Sequence, residues 1–424
     1  MTAGSTSHHE SRRVRVRDVL AVPEFRGMVI AQIASQAGDQ IASVALALLV
    51  LNQTGSPLLA AATFAVGFVP SLIGSALLAP IVDRFSRRSL MLGSDIGRAL
   101  TVALIALLAV PGTPLWLLFA ILFVSELFTP LFDSARMASI PDVLGSPSYV
   151  AAGTGLSRAL NLINQAVGLF VGGLVVQLTT PRVALFLDAL SFVFSFAVLA
   201  VTLRDRPSEL ESTPSIRVLM RDLAEGWSML MADPSRRAFV LLSWALAAPL
   251  VAPEAVALAY ADSTGEVSGW GGALMAGVVI GAAVGSLLIG RRALREQLDL
   301  VLPLALFMCL PLLVTGIEPP IIVILVLWAL AGAAQSFLIP VMTFTTLLTP
   351  NEQRGRVVGI AAAGFALFTT IGYLLSGWIA TLTSPAFAVV VMAVLGLAVG
   401  AVAYLLWPVA SLRADVRRLE ASST

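Results

Sequence analysis

Acidic residues lie inside long, mostly apolar segments of the sequence, and three of them are candidates for chemistry. They are Asp39, Glu126 and Glu254. On insertion scales, a charged side chain at the centre of a bilayer costs about 2.5–3.5 kcal/mol. A carboxyl group in such a segment therefore needs a partner, water or a bound proton, and a proton held there can also be released. We interpret these three residues as candidates for coupling proton movement to transport.

Each of these carboxyl groups also has a structural interpretation that the sequence leaves open. Asp39 fits hydrogen bonding between helices, and Glu126 fits a neutral carboxyl group held by a structural hydrogen bond. Two prolines shortly before Glu254 predict a kinked helix, a feature that often borders the path of a transported substrate. Glu254 equally fits a solvated position near the membrane surface. Asp188, about two turns from the predicted outer surface, is expected to be solvated.

Polar residues also recur on one face of a predicted helix. Gln32, Gln36, Asp39 and Ser43 follow one another at intervals of four, three and four residues, so they share a helical face. This stripe favours the lining of a wet cavity, with interhelical hydrogen bonding as the alternative. The predicted substrate-cavity residues are Gln32, Gln36, Ser43, Asn161, Gln165, Trp244 and Gln335.

A second stripe combines polar residues with glycines. Asn161 and Gln165 are followed by Gly168, Gly172 and Gly173. Glycine lets another helix approach closely, so we expect these three to pack against a helix of the other half of the protein. For the two amide side chains, structural hydrogen bonding is favoured over substrate contact.

The composition indicates a membrane protein and excludes several classes of site. Of the 424 residues, 58% are hydrophobic and 12% are charged, and the mean hydropathy is +0.92. Soluble domains are roughly 25% charged. The net charge of +1 gives no support for a nucleic-acid partner, and the absence of lysine excludes a phosphate-binding loop of the Walker type. The chain has one cysteine, Cys309, in an apolar segment, and both of its histidines lie in the polar N-terminal tail. We therefore expect no metal site, no cofactor and no enzyme activity.

Twelve apolar segments are long enough to cross a bilayer, and we number them as spans 1 to 12. They cover residues 26–51, 58–82, 89–110, 114–137, 151–178, 182–203, 236–260, 268–290, 298–316, 319–346, 355–382 and 384–408. Arginine is concentrated in both tails and in the second, sixth, eighth and tenth connections, and Arg136 lies at the end of span 4, whereas the odd-numbered connections hold only Arg182. The positive-inside rule therefore predicts that both termini are cytoplasmic.

The long polar segment 204–235 divides the chain into two halves of six spans each. We predict a cytoplasmic N-terminal tail at 1–25, a six-helix bundle at 26–203, a cytoplasmic linker at 204–235, a second bundle at 236–408 and a cytoplasmic C-terminal tail at 409–424. The fold class is an all-α membrane protein with two pseudo-symmetric bundles. Repeated halves predict a substrate site at their interface, near the middle of the membrane.

Several motifs resemble those of a known transporter family. Residues 83–88, Asp-Arg-Phe-Ser-Arg-Arg, resemble the loop between spans 2 and 3 of the major facilitator superfamily. Residues 168–173 resemble the Gly-Pro-x-x-Gly-Gly motif of drug antiporters, with leucine in place of the proline. Residues 35–39, 54–57 and 350–356 are similar to stretches of the macrolide-efflux type of bacterial drug:proton antiporter. The resemblance implies alternating access between two bundles and export driven by proton entry.

The resemblance also implies a cytoplasmic gate. In that arrangement Asp83 faces the start of span 11, where the helix dipole favours an anion, and Arg87 pairs with Asp133. For Arg84 and Arg88, plain anchoring at the inner surface is the favoured alternative. The complete set of predicted gate residues is Asp83, Arg84, Arg87, Arg88, Asp133 and Arg136.

These observations together predict a monomeric, proton-coupled exporter of small amphipathic or hydrophobic compounds in the inner membrane of the cell. Its partners would be the substrate, protons and the lipid bilayer. Export of a siderophore or a lipid-like metabolite by the same fold is one alternative. A membrane sensor that has kept the fold and lost transport is another, and the departures from the family motifs at Ala79, Ser86 and Leu169 leave it open.

Overall fold

A computed structural model describes residues 14–77, 85–110, 112–206 and 216–423. Within those ranges the chain is helical and no strand occurs. Twelve principal helices follow the order of the predicted spans. Their bounds are Pro23–Thr54, Pro57–Leu77, Arg87–Leu108, Leu115–Leu144, Pro147–Leu178, Pro181–Thr202, Pro234–Ser263, Gly269–Ile289, Leu294–Ile317, Ile321–Leu347, Asn351–Leu382 and Pro385–Leu406.

The lengths of these helices agree with a membrane fold. Among the described residues, eleven helices are long and apolar enough to cross a bilayer, and span 2 contributes a shorter apolar helix over Pro57–Pro70. Three further helices lie outside the spans: Val16–Leu20 before span 1, Ile216–Ala232 in the linker and Val409–Ser423 after span 12. The all-helical fold class predicted from the sequence is confirmed.

Local sequence signals set where many of the helices begin. Spans 1, 5, 6, 7 and 12 have proline in their first turn. Backbone N–H groups in the first turn have no partner within the helix, so proline costs no hydrogen bond there. Side chains cap several starts: Thr180 accepts from the backbone N–H of Val183, and Ser86, Asp233 and Ser384 act in the same way. These caps fix the ends of the helices and leave short turns between them.

Successive helices run in opposite directions, so the bundle has two ends. We call the end that carries the linker and both chain ends the terminal side, and the opposite end the distal side. On the distal side the two halves touch. The backbone N–H of Leu58 in span 2 donates to Thr381 Oγ1 in span 11 at 3.0 Å. Gly173 in span 5 lies against Gly272 in span 8, where a Cβ atom on Gly173 would come within 2.9 Å of the Cα of Gly272.

The linker helix packs on the C-terminal half. The ring of Trp227 stacks on that of Trp244 in span 7, with 5.9 Å between the ring centroids. Glu225 forms an ion pair with Arg356 of span 11 at 2.6 Å, and the fully buried Leu230 joins an apolar cluster with residues of spans 7 and 11. The helix is therefore fixed to the C-terminal half.

The backbones of spans 8 and 10 are in close contact at Gly281, so a larger side chain there is expected to lower the stability of the protein. A Cβ atom on Gly281 would lie 2.8 Å from the carbonyl carbon of Ala329 and 2.9 Å from the backbone nitrogen of Ala333. We expect Gly281→Val to lower the thermal unfolding midpoint of the purified protein, because overpacking costs typically about 1–3 kcal/mol. Gly93→Val is the matched control, since no atom lies within 4 Å of its Cβ position. Equal midpoints for the two variants would contradict this packing.

Candidate functional site

A cavity of about 430 Å³ lies between the two halves. Its volume falls within the range of about 300–1,000 Å³ that is usual for small-molecule sites. Spans 1 to 6 of the N-terminal half contribute most of the polar lining, and spans 7, 8, 10 and 11 complete the opposite wall. The side chains at the centre of the argument are Asp39, Arg98, Glu126, Asp188, Glu254 and Tyr373.

Four carboxyl groups face this cavity. Asp39, Glu126 and Asp188 come from spans 1, 4 and 6, and Glu254 comes from span 7 on the opposite wall. The three candidates predicted from the sequence are thus brought together. The expected solvation of Asp188 is wrong: its residue is 1% exposed, and its carboxylate accepts a hydrogen bond from Ser191 Oγ at 3.2 Å. The turn of span 6 that carries Asp188 faces span 1, and this packing keeps water away.

The central cation of the site is Arg98 of span 3. Its Nη1 lies 3.7 Å from Asp39 Oδ2, and its Nη2 lies 2.8 Å from Asp95 Oδ1. The side chain of Arg98 is 3% exposed and that of Asp95 is fully buried, while the Asp39 side chain remains 31% exposed to the cavity. Arg98 therefore links an inaccessible carboxylate to an accessible one.

Aromatic rings contact Arg98, and a hydroxyl contacts its ion-pair partner Asp95. The guanidinium carbon lies 4.6 Å from the ring centroid of Phe132 and 4.3 Å from that of Phe192, distances at which cation–π attraction operates. Ser195 Oγ donates to Asp95 Oδ2 at 2.7 Å. Asp95 and Arg98 were not among the site residues predicted from the sequence. Their position about three turns after the start of span 3 at Arg87 was the signal for a deeper site.

Charge does not balance among these groups if all are ionised. Asp39, Asp95, Glu126 and Asp188 would carry four negative charges against the single positive charge of Arg98, a sum of −3. Glu126 accepts a hydrogen bond from a neutral hydroxyl, that of Thr129, at 3.4 Å. A buried excess charge of this size is unfavourable, so bound protons or a cationic ligand must reduce it.

The opposite wall is aromatic around its one carboxyl group. The hydroxyl of Tyr373 interacts with the carboxyl group of Glu254. The Tyr373 ring stacks against Phe64 and Phe68 of span 2, with ring centroids 5.6 and 5.7 Å away. Gln335 also lines this wall and donates to the carbonyl oxygen of Leu250 at 3.3 Å. The cavity thus has a highly charged side and an aromatic side.

The polar stripe of span 1 divides between two environments. Ser43 lines the cavity together with Asp39, and Gln165 of span 5 joins them. Gln32 instead lies in a buried network: its Oε1 accepts from Arg136 Nη1 at 2.6 Å, and its Nε2 donates to Asn161 Oδ1 at 2.5 Å.

The rest of this network is structural in the state observed. Gln36 Oε1 accepts from Gln32 at 3.3 Å and from Asn164 Nδ2 at 3.2 Å. Gln32, Gln36 and Asn161 are therefore engaged outside the cavity, because the stripe continues towards the terminal side beyond the cavity floor. Trp244 is also outside: its Nε1 donates to the carbonyl of Ala361 at 2.8 Å, and its ring stacks on Trp227 and Phe368.

The gate residues pair differently from the arrangement that the resemblance implies. Arg87 forms an ion pair with Asp142 and donates to the carbonyl of Ala138 at 2.7 Å, so it does not reach Asp133. Asp133 pairs with Arg136 at 3.1 Å, one helical turn away on the same span.

The remaining gate candidates are partly outside the described residues. Arg88 donates to the carbonyl of Ala200 at 2.6 Å, which ties the start of span 3 to the end of span 6. Asp83 and Arg84 lie outside the described part of the chain.

Only one of the three predicted packing glycines faces the other half. A Cβ atom on Gly168 would lie 2.6 Å from Gln40 Cβ, and one on Gly172 would lie 3.0 Å from Ile41 Cα, both in span 1 of the same half. Gly173 alone meets span 8. Gly168 and Gly172 are four residues apart and share a face, whereas Gly173 lies about 100° around the helix.

Several known proteins are similar in sequence to this chain. The family model of the Major Facilitator Superfamily matches residues 28–298 and 240–421. The chain is 25% identical to the multidrug efflux pump Tap of Mycolicibacterium fortuitum, over 82% of this chain and 87% of Tap. It is 22% identical to macrolide efflux protein A of Streptococcus pyogenes, over 81% of this chain and 87% of that protein.

A solved structure shows the same fold. The crystal structure of the nucleoside transporter NupG superposes with a TM-score of 0.73 at 12% identity, covering 91% of this chain and 99% of NupG. The helices that enclose the cavity therefore have the arrangement of a membrane transporter.

Proposed function

Because this chain belongs to the major facilitator superfamily, we propose that it is a proton-coupled secondary transporter that exports small amphipathic or hydrophobic compounds. Drugs, macrolides and secondary metabolites are the classes that the names of its relatives suggest. The observation that carries the proposal is the group of carboxyl groups around Arg98, in a cavity between two helical halves. Such a site must exchange protons or cations to stay near neutrality.

Asp39 is the proton carrier in this proposal. It is the one carboxyl group that combines contact with the cavity and a nearby guanidinium, that of Arg98. Deprotonated Asp39 pairs with Arg98, and protonation releases that pair, so the charge of the cavity changes with proton occupancy. Glu126 and Glu254 are the further candidates, since each faces the same cavity.

The substrate binds between the charged side and the aromatic side. Phe64, Phe68 and Tyr373 offer flat apolar surface, while Glu254 and Gln335 supply polar contacts on the same wall. This combination suits an amphipathic molecule with a ring system. Ser43 and Gln165 complete the proposed contacts on the N-terminal half.

Export as the direction of transport is proposed from the similarity to efflux proteins. We place the terminal side, both termini and the linker in the cytoplasm, with the chain acting as a monomer in the inner membrane. The domain bounds are those predicted from the sequence. In this orientation, the distal contacts between the halves would lie between the cavity and the outside. One proton entering down ~100 mV releases about 2.3 kcal/mol. That free energy sustains a substrate gradient of roughly 50-fold.

Alternating access requires the distal contact to close and open, which gives a direct prediction. A Cβ atom on Gly272 would lie 2.6 Å from the carbonyl oxygen of Leu169 and 2.7 Å from Gly173 Cα. We expect Gly272→Leu to keep the distal side open. The reporter is Thr63→Cys, a buried cavity position, labelled by a membrane-impermeant maleimide from the distal side. The native Cys309 is fully buried and should not react.

The control for this prediction is Gly359→Leu, at a position with no atom within 4 Å of the Cβ. Labelling of Thr63→Cys should rise several-fold with Gly272→Leu and stay at the parental rate with Gly359→Leu. Equal labelling in the two backgrounds would show that the contact between spans 5 and 8 does not control access.

The proposed function is tested by reconstitution in liposomes that contain a pH-sensitive dye. A pH gradient is imposed, and a macrolide, a lipophilic amine and a nucleoside are added in turn. Proton flux that depends on the macrolide or the amine supports drug export. Proton flux with the nucleoside alone would show that the proposed substrate class is wrong and that nucleosides are transported instead. Tight drug binding without any flux would favour a membrane sensor.

A further inference from the structure

A second groove lies on the outer surface of the C-terminal half, between spans 7 and 12. We call it the 7/12 groove. It has a volume of about 410 Å³, and its mouth carries Arg237 and Trp407. The remaining lining is almost entirely apolar and consists of Pro234, Ala238, Leu241, Leu242, Ala245, Val399, Val402, Ala403, Leu406 and Pro408. No part of the central cavity is included in it.

The spacing of the lining residues gives the groove its direction. Arg237, Leu241 and Ala245 are four residues apart, so they form one face of span 7. Val399, Val402 and Leu406, which are three and four residues apart, form one face of span 12. Eight residues of helix span about 12 Å. The groove therefore runs from the end of the bundle most of the way through one leaflet, whose hydrocarbon layer is about 15 Å thick.

The polar end of the groove lies at the level of lipid headgroups. Trp407 directly follows the last residue of span 12, and Arg237 is in the first turn of span 7. Tryptophan is enriched at the boundary between lipid and water. The Trp407 ring is fixed by edge contact with Phe239, which stacks on Phe344. The position of Trp407 at the mouth is therefore set by the packing of spans 7, 10 and 12.

The mouth of the groove carries the positive charge of Arg237. Arg237 is exposed, and its Nη1 donates to the carbonyl of Met231 at 3.1 Å. Within the described ranges Arg237 forms no ion pair. The two carboxylates closest along the adjoining segments are engaged: Asp233 caps span 7, and Asp415 accepts from Ser235 at 2.7 Å.

We propose that the 7/12 groove binds one anionic phospholipid from the leaflet on the terminal side, with an acyl chain along Leu241 and Ala245 and the phosphate at Arg237. Basic pockets between helices at this membrane level attract anionic headgroups, and the apolar channel distinguishes a lipid from a free phosphate. The inference concerns a surface apart from the central cavity and does not depend on the proposed export activity.

Native mass spectrometry of the detergent-purified full chain tests the proposal, with phosphatidylglycerol and phosphatidylethanolamine of matched acyl chains as probes. The parent should retain one phosphatidylglycerol in preference to phosphatidylethanolamine. Arg237→Gln should weaken phosphatidylglycerol retention by about fivefold, the contribution of one basic residue near an anionic surface, with little change for phosphatidylethanolamine. Arg291→Gln, an exposed arginine outside the groove, should match the parent.

A second variant tests the channel separately from the charge. Ala245→Phe fills the groove without altering Arg237 and should reduce retention of both lipids. An excess of glycerol phosphate should not displace the bound lipid. Parental retention in both Arg237→Gln and Ala245→Phe would overturn the proposal, as would an equal loss in Arg291→Gln or displacement by glycerol phosphate.

Discussion

Asp39→Asn is expected to reduce substrate-dependent proton flux to the level of protein-free liposomes, while the purified variant still binds substrate. Asparagine has nearly the same shape as aspartate but cannot carry a proton or a charge. Arg98 keeps its 2.8 Å pair with Asp95, so the fold around the cation is preserved. The measurements are dye-reported proton flux and equilibrium binding of the same substrate by the purified protein.

The matched control is Asp262→Asn, an exposed aspartate near the distal end of span 7, which should transport as the parent does. Glu126→Gln is measured in parallel, because Glu126 faces the same cavity. Full flux in Asp39→Asn together with its loss in Glu126→Gln would transfer the role of proton carrier to Glu126. Full flux in both variants would remove these two carboxyl groups from the coupling mechanism.

Arg98→Met is expected to cause the largest loss of stability of any single substitution considered for this protein. Removing the guanidinium leaves the fully buried Asp95 with its hydrogen bond from the hydroxyl of Ser195 but without its cation. Breaking a buried ion pair on one side typically costs about 3–5 kcal/mol. The free energy of unfolding, measured by titration with a denaturing detergent, should fall by an amount in this range. Contacts with Phe132 and Phe192 are lost as well.

A double variant separates the charge effect from the loss of packing. Asp95→Asn in the Arg98→Met background removes the unpaired charge, so it should recover a substantial part of the lost stability. Arg291→Met, at an exposed site, controls for the chemical change itself. A double variant no more stable than Arg98→Met would show that Asp95 is not the reason for the loss, and that the cation acts mainly through its aromatic neighbours.

The secondary structure of this protein could be predicted in large part from the sequence. Apolar segments, prolines at helix starts and the turns between them placed the principal helices within a few residues of their observed bounds, as at span 5, predicted to end at residue 178 and observed over Pro147–Leu178. Lipid makes this possible, because every backbone N–H and carbonyl within the bilayer must bond inside its own helix. The pairing of the halves is a tertiary property, and the fold comparison with NupG supports it.

The candidate site was predicted in part. Asp39, Glu126 and Glu254 stood out because a carboxyl group is costly in an apolar segment, and all three face one cavity. Gln32 shares a face with Asp39 but bonds to Arg136 below the cavity. A helical face extends through the whole membrane, whereas a cavity occupies only part of that depth, so periodicity alone could not separate the two.

An all-helical membrane protein with acidic groups inside its spans can be inferred from local composition alone, since hydropathy and the cost of buried charge are local properties. Which of those groups meet depends on tertiary contacts. Arg98 is paired with Asp39 of span 1 and lies between Phe132 of span 4 and Phe192 of span 6. These contacts join residues that are distant in the chain, and they depend on how each helix is rotated against its neighbours.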